Sequence, residues 1–194
     1  MRKGRILLLG LVMVLLIAAC GKADTMFNQS YIIVNDDQTL SVTLMEDFTE
    51  SYYNETELME MVNSEVSQYN AGRGADAIGV GEHHLENGLL TLELEFADVQ
   101  SFNDYMPEVV FCGTLQEAYN AGYDLNRSLN VVGNEGATIG KNELQNMGES
   151  RVFILSGVMD VQCPDKIKYY SQGMVMLDAY TVSATGSGCY FIIY

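Results

Sequence analysis

Asn87-Gly88 constrains this chain more than any other pair of residues. A two-residue type I′ hairpin turn needs positive φ at both central positions, and Asn-Gly adopts that geometry with the least strain. The following arm alternates Leu90, Leu92, Leu94 and Phe96 with Thr91, Glu93 and Glu95, which is the pattern of a strand with one buried face. With that turn fixed, Glu86 faces Leu89, Leu85 faces Leu90, His83 faces Leu92 and Glu82 faces Glu93. A second hairpin is expected where Tyr31-Ile32-Ile33-Val34 and Thr39 to Leu44 flank Asn35-Asp36-Asp37-Gln38.

Three segments carry helix signals. Asn54 can cap a helix with Glu57 at the box position, and Leu58, Val62, Val66 and Tyr69 then share one face until Gly72 and Gly74 end it. A shorter helix runs from Asp98 to about Met106 and stops at Pro107. A third starts at Leu115, with Thr114 as cap and Glu117 at the box position, and ends near Ala121-Gly122. From Arg151 onward short apolar runs recur (Val152 to Leu155, Val158 to Cys163, Ile167 to Tyr170, Met174 to Tyr180, Tyr190 to Tyr194), separated by turns at Gly157, Pro164-Asp165, Gly173 and Gly186-Ser187-Gly188. The expected class is α+β: mainly antiparallel sheet with two or three helices packed against it.

The first twenty residues follow a different rule. Arg2, Lys3 and Arg5 precede an apolar run of 14 residues, Ile6 to Ala19, which closes as Leu16-Ile17-Ala18-Ala19-Cys20. A spanning helix needs about 20 apolar residues, and the shorter run suits the core of an export signal. Small residues just before a cysteine resemble the lipobox of bacterial lipoproteins. That resemblance implies cleavage after residue 19, a diacylglyceryl thioether and palmitate-type acyl chains on Cys20, and a domain held outside the cytoplasm at the cell membrane. Residues 20–29 then form a tether and 30–194 a single domain.

Cleavage would leave 175 residues, with seven basic side chains against 26 acidic ones and a charge of −19. A field of that sign disfavours nucleic acid and flat adhesion to anionic headgroups, and leaves divalent cations or a basic partner as counterparts. Cys112, Cys163 and Cys189 cannot all pair, so at most one disulfide forms. Cys112 and Cys189 lie in apolar runs where cysteine often acts as a small hydrophobe.

Few residue sets suggest site chemistry. His84 shares a strand face with Glu82, Glu86, Glu93 and Glu95, so His84, Glu82 and Glu93 form a candidate metal set, against the plainer reading of a solvated charged face. Asp124, Asn126, Ser128, Asn130 and Glu135 are spaced like the ligands of a calcium loop, but Leu129 stands where the sharp turn needs Gly. Gly133-Asn134-Glu135-Gly136 and Gly79-Val80-Gly81 lack the Lys-Ser/Thr of a phosphate loop. Twelve Tyr and seven Phe with no Trp imply ring-rich sheet faces, most of them core and some the lining of a cavity.

The order of elements, with stretches such as Leu94-Glu95-Phe96-Ala97-Asp98 and Cys163-Pro164-Asp165-Lys166-Ile167, looks like the LppM-like lipoproteins and many gut Firmicute lipoproteins of similar layout. The resemblance covers most of the mature chain. Residues 112–150 stand as an insertion, and a tryptophan near the end is missing. It implies a tethered α+β domain with affinity for polar lipids. The expected function is therefore a non-catalytic, membrane-anchored extracytoplasmic lipoprotein that binds an amphiphile or a protein partner, without a cofactor. A structural member of an envelope complex is a third reading. The alternative is a cell-envelope enzyme or metal-binding protein using His84, Glu82 and Glu93. Mass spectrometry of protein extracted from membranes should find acylated Cys20 as the first residue, and Cys20→Ala should move the chain out of the membrane fraction. A native N-terminus at Met1 would contradict the lipobox reading.

Overall fold

A computed structural model describes residues 27–194. The signal run, the first part of the tether and Cys20 lie outside the described residues. Four helices and thirteen strands form an α+β fold built on two sheets rather than the one expected.

Strands β1 (Tyr31–Val34) and β2 (Leu40–Asp47) form the first hairpin. After α1 (Glu55–Arg73), β3 (Ile78–Glu86) and β4 (Leu89–Phe96) form the second around Asn87-Gly88. Both turn residues have positive φ, 52° and 79°, as the sequence predicts. A Cβ on Gly88 would also meet Thr49 Cγ2 at 2.5 Å, so the turn needs Gly for space as well as for φ.

Helices α2 (Val99–Tyr105) and α3 (Leu115–Asn120) flank β5 (Val109–Thr114). Then come β6 (Leu129–Val131), β7 (Thr138–Ile139), α4 (Lys141–Gln145), β8 (Arg151–Ser156) and β9 (Asp160–Gln162). The chain ends with β10 (Tyr169–Ser171), β11 (Met174–Met176), β12 (Thr181–Ala184) and β13 (Cys189–Ile193). The larger sheet has the order β11-β12-β9-β1-β2-β4-β3, and the smaller one β5-β8-β13-β10-β6-β7. All pairings are antiparallel except β1 with β9.

The helix caps follow the sequence closely. Asn54 accepts from the Glu57 amide, and Gly74 closes α1 in the left-handed region with φ 71°. Asp98 and Thr114 both cap through reciprocal boxes. The Glu117 carboxylate accepts from the Thr114 amide and hydroxyl, which holds it below the ordinary glutamate range. On α1 the buried residues are Met59, Val62 and Val66, with Leu58 and Tyr69 half-buried beside them. The five-residue α4 was not expected, because Gly140 supplies no side-chain cap and the helix is barely more than one turn.

Two cores result. The larger joins the apolar face of the seven-stranded sheet (Ile32, Val42, Leu94) to α1, to Phe102 of α2 and to Phe153, Leu155 and Ile192 of the second sheet. The smaller lies on the other side of that second sheet, where Val152, Ile154, Phe191 and Ile193 pack against Leu115, Ala118 and Leu144. Alternate residues of β8 and β13 therefore serve different cores. Residues 112–150, read as an insertion, supply the outer layer of the smaller core.

The end of the tether is fixed in place. Phe27 stacks on Tyr31 with ring centroids 3.7 Å apart. The Gln29 amide donates to the buried Asp160 carboxylate at 2.8 Å and to the Ala184 carbonyl at 3.1 Å. Among the described residues no helix is long and apolar enough to cross a membrane. Phe153 is fully buried between the layers, so Phe153→Ala should cost about 3–5 kcal/mol in chemical denaturation. Val175→Ala, at an exposed position of β11, should cost less than about 0.5 kcal/mol. Equal costs would contradict this layering.

Candidate functional site

The metal set read from the sequence does not assemble, because the β3–β4 register shifts. His83 faces Leu92 and His84 faces Thr91 as expected, but a bulge lies between Val80 and His83. The bulge brings Gly81 against Glu93, where a Cβ would come within 2.8 Å of the Glu93 Cβ. Gly81 and Glu82 therefore share the place opposite Glu93. Glu82 reaches the exposed His84 Nε2 at 3.4 Å, while His83 Nε2 pairs with Glu55 at 3.4 Å. Among the described residues no three His, Cys, Asp or Glu side chains are placed to hold a metal ion.

The calcium-like loop is also used differently. The Asp124 carboxylate accepts from the Asn126 amide, and the Arg127 guanidinium donates to the Asp124 carbonyl and the Cys189 carbonyl at 2.8 Å each. Arg127 also lies over the Phe191 ring, 4.2 Å from its centroid. A cation of the protein itself therefore pins this loop to β13.

Cys112, Cys163 and Cys189 form no disulfide. Cys112 Sγ lies 3.6 Å from the Tyr194 hydroxyl and 3.8 Å from Arg151 Nη2. Burial raises the Tyr194 phenol well above its ordinary range, with Cys112 adding to the effect. Both histidines lie on β3 of the other sheet, so Cys112 has no imidazole base.

The most developed polar site lies between α1 and α2, and it rests on Arg73. From residue 27 to residue 126 there are 19 acidic side chains and one basic one, Arg73; residues 127–194 carry six acidic and five basic. Arg73 sits in the last turn of α1, where the helix dipole favours a cation. Its Nη2 donates to Asp98 Oδ2 at 2.6 Å and its Nη1 to the Tyr69 hydroxyl at 2.9 Å. Tyr69 in turn donates to Asp104 Oδ2 at 3.0 Å. The bond to Tyr69, helped by the Asp98 and Asp104 charges, raises the Arg73 pKa despite some burial. Asp98 also caps α2 through its other oxygen, so one carboxylate fixes both helices.

Arg73, Tyr69 and Asp104 of this chain line an open cleft of about 720 Å³, together with Glu65, Gln68, Gln100 and Tyr105. Burial, and then the Glu65 carboxylate, push the Tyr105 phenol up. The cleft presents two amides, two phenols and a surplus of carboxylate over guanidinium. Those groups suit a polar, positively charged occupant. They include no nucleophile–base pair.

Sequence reading missed this site because its members are 25 to 35 positions apart. The available signal was the isolation of Arg73 in a long acidic stretch. With no three-ligand set among the described residues, zinc at about 100 μM should leave the melting temperature unchanged, whereas a site with a Kd near 1 μM would add about 2.7 kcal/mol. Comparison with known proteins adds no candidate: no family model, curated protein or solved structure matches the chain.

Proposed function

We propose that this chain is a non-catalytic binding module, held outside the cell membrane by lipid on Cys20, which docks a basic segment of an envelope protein in the α1–α2 cleft. The observation that carries the reading is the Asp98–Arg73–Tyr69–Asp104 chain, which pre-orders the Arg73, Tyr69 and Asp104 groups that line that cleft. Its donors and acceptors are held before an occupant arrives, which lowers the ordering cost of binding. The surrounding field is strongly negative, and complementary charge speeds and selects a cationic partner.

The interior favours a surface occupant over an engulfed acyl chain. The space between the sheets is filled by side chains such as Leu94, Phe96, Phe153 and Tyr190. A small apolar depression at Leu115, Leu125 and Leu144 has a volume of about 240 Å³, below the range of about 300–1,000 Å³ usual for ligand pockets. The tether reading supplies the compartment, and the acid-rich half supplies the selectivity.

The test is site-specific photocrosslinking in living cells. A photoreactive residue at Gln68 or Gln100 should give one discrete adduct that is lost when Asp104→Lys reverses the charge of the cleft. The same residue at Asp36, in the turn between β1 and β2, should give none. Adducts of equal yield from all three positions, or an adduct indifferent to Asp104→Lys, would contradict the proposal.

A further inference from the structure

The end of the seven-stranded sheet from which the tether leaves is also its most aromatic exposed surface. Register fixes this coincidence. Tyr31 at the start of β1 pairs with Thr43, and the Ser30 hydroxyl accepts from the Met45 amide, so the chain emerges beside the last residues of β2. Asp47, the last residue of β2, pairs with Leu89 next to the Asn87-Gly88 turn. The Phe48 amide donates to the Gly88 carbonyl at 2.7 Å and ties the β2–α1 loop to that turn.

On this loop Tyr52 is 76% exposed and Tyr53 44%. Phe48 and Tyr53 stack with centroids 4.9 Å apart, and Tyr52 meets Tyr53 edge-on at the same distance. Leu85 and Leu89, each about two-fifths exposed, flank the turn beside them. The three rings of Phe48, Tyr52 and Tyr53 thus cluster at the tip, and among the described residues none of them is fully buried.

We infer that this aromatic tip is a second membrane contact, seated in the interfacial zone of the bilayer beneath the domain. The inference rests on the lipid-anchor reading of Cys20. Seven residue steps separate Cys20 from Phe27, a reach of at most about 25 Å. The chain emerges at this end of the sheet, beside Thr43 and Met45, so the tip is the end nearest the anchor.

Tyrosine suits the headgroup zone, with its ring in the apolar boundary and its hydroxyl in water. Glu46, Asp47, Glu50 and Glu86 stand on the same end, which weakens the contact with anionic lipid and leaves zwitterionic headgroups as the matching surface. A weak contact is sufficient, because a short tether holds the tip at a millimolar effective concentration. The geometry also places the cleft. Helix α1 starts at the tip, with Glu55 beside His83, and ends where Asn70 bonds the Ala77 and Ile78 amides. Tyr69 therefore lies about 21 Å along the helix from Glu55, so the cleft lies toward the end of α1 remote from the tip.

The chain contains no tryptophan, so one introduced indole reports its own surroundings. The full lipidated chain, carrying either Tyr52→Trp or Asp36→Trp, is reconstituted on vesicles of brominated phosphatidylcholine and checked by flotation and circular dichroism. Tyr52→Trp should shift its emission to the blue and lose about half of it to the bromines, as a ring at the interface does, while Asp36→Trp should show neither effect. If both variants float and neither is quenched, the domain stands clear of the bilayer and the tip contact is overturned. Failure to float would overturn the anchor itself, and with it the inference.

Discussion

The fold depends on one sheet being buried on both faces. In β8, Phe153 and Leu155 point into the larger core while Val152 and Ile154 point into the smaller, and β13 repeats this with Tyr190 and Ile192 against Phe191 and Ile193. A strand with two apolar faces requires a layer on each side. The seven-stranded sheet with α1 and α2 provides one, and α3, α4 and the loop through Leu125 provide the other. At roughly 1.5–3 kcal/mol for each large side chain buried, these residues hold the molecule together.

Strands β2 and β4 of the seven-stranded sheet bury only one face, and that asymmetry frees this side of the molecule for function. Its outer face and the exposed side of α1 accumulate charge without cost to the core. The acidic side chains accordingly concentrate between residues 27 and 126, with Arg73 as the one Lys or Arg among them. Because α1 runs antiparallel to β3, its two ends are separated by the full length of the helix. The aromatic cluster of the β2–α1 loop lies at one end and the polar cleft at the other. The proposed lipid anchor on Cys20, with its chain emerging beside the aromatic cluster, would then give the molecule a defined lower and upper side.

Local features were legible in the sequence and long-range ones were not. Asn87-Gly88, the caps at Asn54, Asp98 and Thr114, and the alternation of β4 all act within a few residues, so the sequence states them directly. The division into two sheets depends on pairings such as β1 with β9, which join Ile32 to Val161, and no local pattern encodes that choice. Strand β12 escaped because Thr181-Val182-Ser183-Ala184 is buried through partly polar side chains. The bulge after Val80 sets Gly81 as well as Glu82 opposite Glu93, because the two-residue turn fixes the register only as far as His83. The cleft joins Arg73 to Asp98 and Tyr69 to Asp104, contacts created when α1 and α2 pack together.

The central claim is an oriented module: aromatic tip toward the bilayer, charged cleft toward the outside. Hydrogen exchange on the full lipidated chain, compared between zwitterionic vesicles and detergent micelles too small to present a flat surface, tests it most directly. Slower exchange on vesicles is expected for the amides of residues 48–53 and 85–89, with those around Tyr69, Arg73 and Asp104 unchanged. Protection of the cleft amides with the tip unaffected would mean that the domain lies the other way up, and would contradict it.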